Sequence, residues 1–112
     1  MLETTIGHIE NDDQFKDMLA GNENVMICCG RNGPMCMPVY DVMENLDSKH
    51  ENVTFRVMEF DHPVSHNIRS LSEVADFMGL PFTVYFKDGK VVEATSSVQS
   101  KTQVASILKE KF

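Results

Sequence analysis

Apolar positions along the chain alternate between two periods, and their order predicts the elements. Thr4 to Ile9 has the make-up of a short opening strand. Phe15, Met18 and Leu19 then fall at i, i+3, i+4, the spacing of one helical face, with Asn11, Asp12 and Asp13 placed to cap the start and Gly21 to end it. Val25 to Cys29 is an unbroken apolar run of strand length, which predicts a central strand covered on both faces. From Pro34 the pattern turns helical, with a stripe at Val39, Val42, Met43 and Leu46, and Pro38 inside that segment is expected to bend it. Val53 to Phe60 predicts a third strand closing at Asp61. Leu71, Val74, Ala75 and Met78 predict a third helix, with Ser70 and Glu73 as its capping box and Gly79 as its stop. Phe82 to Lys87 and Lys90 to Thr95 flank Asp88-Gly89, a two-residue hairpin signal. Val104, Ile107 and Leu108 mark a last helix opened by Ser100 and Gln103. The expected order is βαβαβαββα, an α/β fold.

Length and charge narrow this picture. The 112 residues with 42% hydrophobic content suit one domain spanning residues 1–112. No basic start with an apolar core of leader length opens the sequence and no run of about 18 apolar residues occurs, so a soluble, cytoplasmic protein away from membranes is expected. The formal net charge of -7, with Lys and Arg scattered, argues against nucleic acid as a partner. The 8 methionines are accounted for as flexible fillers of core gaps.

All 3 cysteines lie in Cys28-Cys29-Gly30-Arg31-Asn32-Gly33-Pro34-Met35-Cys36-Met37-Pro38, at the seam between the central strand and the second helix. An odd, clustered set does not suit a disulfide framework and favours redox, catalytic or metal chemistry. A thiol at the mouth of a helix meets free N–H groups and the positive end of the dipole, which favour the nucleophilic thiolate. Cys28 is expected to be a small buried core residue. His8, His50, His62 and His66 lack the spacing of metal ligands with the cysteines and are read as surface residues.

The order of elements, together with Gly79-Leu80-Pro81 before Phe86 and Lys87-Asp88-Gly89, then Ser100-Lys101-Thr102-Gln103-Val104, resembles the thioredoxin family over essentially the whole chain. The resemblance implies a three-layer fold, a central mixed β-sheet flanked by helices, with the active site where the cysteines are and a cis-proline at Pro81 facing it. It departs from the family at the site, because no Cys-x-x-Cys is present. Matching Gly33-Pro34 to the family's Gly-Pro puts Asn32 and Met35 at the cysteine positions. Matching the helix stripe instead puts Cys36 at the second, more buried position and Gly33 at that of the exposed nucleophile. The second match is preferred, since a loop absorbs an extra residue more easily than a core absorbs a register error. The family's buried acid in the second strand is replaced by Met26 or Ile27, so proton transfer at Cys36 would need another route.

Three functions follow as expectations. The first is an atypical thiol-disulfide oxidoreductase without cofactor. Cys36 is its catalytic residue with Cys29 as partner, Gly33, Pro34, Leu80 and Pro81 form the substrate-binding face, and protein thiols or disulfides are exchanged with electrons from a thioredoxin-reductase-like donor. The second is a redox-inactive module that binds a protein segment around Pro81. The third is a Cu(I) carrier using Cys28 or Cys29, Cys36, Met35 and Met37.

Overall fold

The computed structural model describes residues Met1–Phe112 and contains one five-stranded sheet. In chain order its elements are β1 (Gly7–His8), α1 (Asp12–Gly21), β2 (Asn24–Gly30), α2 (Met37–Asp47), β3 (Thr54–Glu59), a 3-10 turn (Pro63–Ser65), α3 (His66–Arg69), β4 (Phe82–Lys87), β5 (Lys90–Ser96) and α4 (Lys101–Lys111). The strands lie in the order β1-β3-β2-β4-β5. β1, β3 and β2 run parallel, while β4 is antiparallel to β2 and β5 to β4. This is a mixed α/β sheet with the thioredoxin arrangement.

β2 is central and every one of its residues is buried, as an unbroken apolar run requires. Alternation along the strand divides its side chains between two cores. Met26 and Cys28 join Val39, Tyr40, Met43 and Leu46 of α2, Phe55 and Val57 of β3, Tyr85 of β4, and Val104 and Leu108 of α4. Val25, Ile27 and Cys29 face the other side with Met58, Ile68, Val84 and Phe86, against which Phe15, Met18 and Leu19 of α1 pack.

Local chemistry sets the element ends. Asn11 Oδ1 accepts the Gln14 N–H at 2.9 Å and starts α1. Asp88 and Gly89 have φ of 52° and 79°, the pair of left-handed residues that a type I′ turn needs to join β4 to β5. Ser100 Oγ accepts the Gln103 N–H at 3.2 Å while Gln103 Oε1 accepts the Ser100 N–H at 2.8 Å, closing the capping box of α4. Ser100→Ala is expected to destabilise the fold by about 1 kcal/mol in a urea titration, and an unchanged midpoint would remove the cap from the account.

The sequence pattern and the structure differ at three places. The opening strand covers only Gly7–His8, because Thr4 turns its hydroxyl onto the Glu44 carboxylate and the Ile6 N–H bonds back to Thr4 Oγ1. α2 begins at Met37, so Pro38 falls in its first turn, where no carbonyl waits for its missing N–H, and it helps start the helix instead of bending it. No helix spans Leu71 to Met78. The helix lies earlier, at His66–Arg69, and ends where Ser70 Oγ bonds back to the His66 carbonyl. The following residues make isolated i to i−3 bonds, Val74 to Leu71 and Phe77 to Val74, and Met78 is 95% exposed.

Candidate functional site

The C-terminal end of β2 gathers the chemistry. Cys29 stands opposite Phe82 in the antiparallel ladder, which brings Gly30, the next residue, against Pro81. The Leu80–Pro81 peptide is cis, and Pro81 is buried. A Cβ on Gly30 would lie 2.6 Å from Tyr40 Oη, 2.8 Å from Cys36 Sγ and 3.1 Å from Pro81 Cβ, so the start of α2 and the residue before β4 meet over this one glycine of β2. Only a residue without a side chain lets them close together there.

Cys36 is placed by the turn that enters α2. The Gly33 carbonyl accepts N–H groups from Cys36 at 3.1 Å and Met37 at 2.9 Å, and the Cys36 carbonyl accepts from Val39 and Tyr40. Cys36 is thus the residue immediately before the helix, 3% exposed, with the Arg31 N–H donating to its sulfur at 3.4 Å. A thiol at a helix N-terminus with a backbone donor on it is the setting in which nucleophilic cysteines occur. Gly33 serves as the helix-start acceptor, Pro34 and Met35 are exposed beside it, and Leu80 is half-buried against both cores.

All three cysteines are free in this structure, which does not bring Cys29 and Cys36 together as a bonded pair. Proximity to the loop suggested Cys29, but strand parity decides otherwise: Cys36 packs with Cys28, whereas Cys29 lies on the opposite face of the sheet. Cys28 accepts from Thr83 Oγ1 at 3.7 Å. Burial pushes the Cys28 thiol up from its ordinary range, with Thr83 opposing. Burial likewise pushes Cys29 up to about 12, with the positive charge of Arg69 opposing. Burial thus favours the protonated form of both thiols, while Cys36 stands at the helix start beside Pro81. For the copper reading, no group of three or more His, Cys, Asp or Glu side chains is arranged to hold a metal ion, and of its two alternative cysteines Cys28 lies on the Cys36 side of the sheet while Cys29 does not.

Residues beyond the expected set frame the thiol. Arg31 grips Asp61 through two bonds, Nε to Oδ2 at 2.7 Å and Nη2 to Oδ1 at 2.9 Å. That fork holds the Asp61 carboxyl below its usual range. The Arg31 and Arg69 guanidiniums lie 5.1 Å and 4.9 Å from the centre of the Phe60 ring, and the Phe60 N–H bonds the Gly30 carbonyl at 2.8 Å. Asn32 binds the opening segment, donating to the Met1 carbonyl at 2.9 Å and accepting from the Glu3 N–H at 2.7 Å. Tyr40, buried one helical turn beyond Cys36, donates to the Arg31 carbonyl at 3.0 Å. Its position four residues after Cys36 was the available sequence signal.

The chain's fold is shared with several solved thioredoxins. A Plasmodium falciparum thioredoxin superposes at TM-score 0.77 with 16% identity, covering 96% of this chain and 100% of that one. Mitochondrial thioredoxin 3 of Saccharomyces cerevisiae, in its oxidized form, gives 0.76 with 19% identity over 95% of both chains. A mutant thioredoxin of Halobacterium salinarum gives 0.76 with 17% identity over 93% of this chain and 88% of that one. No family model matches the sequence, and no curated protein matches it. The chain therefore has the thioredoxin fold with a sequence far from these neighbours. No helix is long and apolar enough to cross a membrane.

Proposed function

We propose that this protein exchanges thiols and disulfides with protein partners through Cys36 as a single reacting thiol. The observation that carries the reading is the meeting of Cys36 Sγ and Pro81 above Gly30, at a helix N-terminus, with the Arg31 N–H on the sulfur. In the reaction, Cys36 gives its proton to solvent and its thiolate attacks one sulfur of a partner disulfide. The new S–S bond forms a mixed disulfide as the old one breaks, and the departing partner sulfur leaves as thiolate. With Cys29 across the sheet, a second thiol, of the partner or of a reductant, resolves the mixed disulfide by attacking the partner sulfur bonded to Cys36: a new disulfide forms on that sulfur as the bond to Cys36 breaks, and Cys36 leaves as thiolate. A reductase-type donor and a cytoplasmic setting fit this role. The exposed Met35 at the turn into α2 and the half-buried Leu80 before Pro81 are the apolar side chains left for an extended segment of the partner.

Incubation with an aromatic disulfide, followed by peptide mapping, tests the reading. One equivalent of aryl thiolate is released and Cys36 carries the label, and Cys36→Ser abolishes both. No release from the folded wild type would sink it. A specific observation favours a second reading: Cys36 is 3% exposed, so the site must open before a partner reaches its sulfur, and a module that binds only at the half-buried Leu80 and the exposed Pro34 and Met35 would have no need to. That module binds its partner equally well after Cys36→Ser, whereas the exchange protein loses covalent trapping of it.

A further inference from the structure

We propose that Tyr40 is a positioning residue for the Cys36 thiol, its hydroxyl fixing the backbone of Arg31 so that the Arg31 N–H stays on the sulfur. The inference rests on the reading of Cys36 as the reacting thiol and assigns a role to a side chain outside the cysteine-proline corner.

The two bonds flank one Cα. The Arg31 N–H donates to Cys36 Sγ at 3.4 Å, and the Arg31 carbonyl accepts from Tyr40 Oη at 3.0 Å. Together they set the φ and ψ of residue 31, which follows directly on the last residue of β2. Tyr40 can do this because its ring is rigidly held. It is 0% exposed in the core with Cys28, Met43 and Tyr85, and it lies one turn after Cys36, so hydroxyl and sulfur project from the same helical face. Both border the same point: a Cβ on Gly30 would lie 2.6 Å from Tyr40 Oη and 2.8 Å from Cys36 Sγ. Burial pushes the phenol up from its ordinary range, so the hydroxyl keeps its proton and remains a donor wherever thiol exchange runs.

The bond has no structural substitute but is not what holds the loop. The Arg31 side chain remains on Asp61 and Phe60, and Asn32 remains on Met1 and Glu3, when the hydroxyl is gone. Removing it frees the Arg31 carbonyl and the peptide units beside it while the loop stays docked. The sulfur then faces an amide that is no longer fixed, and the developing thiolate loses a preorganised donor.

The test compares Tyr40→Phe with the wild type in reaction with an aromatic disulfide, following aryl thiolate release from pH 5 to 9 and mapping the label to Cys36. The variant is expected to react about tenfold more slowly at neutral pH, the loss of one hydrogen bond to a charged group. Its pH–rate profile moves to higher pH while the thermal midpoint changes little. Replacement of Tyr40 by 4-aminophenylalanine, which keeps a donor on the ring, restores the wild-type rate and carries the test if Tyr40→Phe does not fold. Equal rates and superposable profiles in Tyr40→Phe and wild type, or no recovery with the amino analogue, overturn the positioning role and leave Cys36 exchange standing. An unreactive Cys36 in the wild type overturns both.

Discussion

Gly30→Ala is expected to destabilise the protein by about 2 kcal/mol, the cost of forcing extra volume into a packed site. The added methyl would meet Tyr40 Oη at 2.6 Å, Cys36 Sγ at 2.8 Å and Pro81 Cβ at 3.1 Å. None of the three yields easily. Tyr40 is pinned to the Arg31 carbonyl, Cys36 is locked into the first turn by the Gly33 carbonyl, and Pro81 leads directly into Phe82, which pairs with Cys29. Relief must come from opening the junction between β2, α2 and β4, which displaces the Arg31 N–H from the sulfur. The variant is therefore also expected to lose most of the Cys36 exchange rate, and Gly30→Val to lose more stability than Gly30→Ala. Gly33→Ala is the matched comparison, since a Cβ there meets nothing within 4 Å. Urea titration of the three variants should leave Gly33→Ala within about 0.5 kcal/mol of wild type. A Gly30→Ala protein as stable as wild type would mean that the three groups do not converge as described.

The features legible in the sequence are those a single local period encodes. The apolar run Val25–Cys29 can only be a covered strand when it is flanked by helical stripes, and it became the fully buried centre of the sheet. Asp88-Gly89 and Ser100 with Gln103 encode a turn and a cap through their own side-chain and backbone chemistry, independent of what packs around them. The segment from Pro63 to Leu80 was not legible for the opposite reason. Its helix is four residues long, shorter than a period can mark, and the stripe at Leu71, Val74, Ala75 and Met78 fits isolated turns that bury Val74 and expose Met78. The site shows the same division. Its location at the end of the central strand followed from element order, but the choice between Cys28 and Cys29 depends on which face of β2 the second helix covers. A shift of one residue exchanges the two faces, so nearness to the loop was no guide. Tyr40 falls outside the stripe at Val39, Val42, Met43 and Leu46, yet it is one of the most deeply buried side chains of α2.

Stability is expected to fall steeply above pH 9, with Cys29 as a principal cause. The thiol has an ordinary value of 9.0 and is pushed up to about 12 in the fold, mainly by burial. Below pH 9 the folded and unfolded chains both hold this proton, and the group imposes no pH dependence. Between pH 9 and about 12 the unfolded chain releases it while the folded chain retains it, so rising pH favours unfolding through that window. Each pH unit separating the two values is about 1.4 kcal/mol, so the rise from 9.0 to about 12 amounts to about 4 kcal/mol at its upper end. Burial raises Cys28, Tyr40 and Tyr85 in the same direction, and each adds to the slope as its own unfolded value is passed. Set against a typical total of about 5 to 15 kcal/mol, a loss of this order is a large fraction of the stability. Urea titrations at fixed ionic strength from pH 8 to 11 measure the effect, and Cys29→Ala should make the slope shallower even though it removes a packed side chain. A stability that stays flat to pH 11 would contradict the burial of these acids. The same experiment separates the thiols by mechanism: alkylation of Cys28 and Cys29 should follow the unfolded population as pH rises, whereas alkylation of Cys36 should need only local opening of the turn into α2 and so should not track global unfolding.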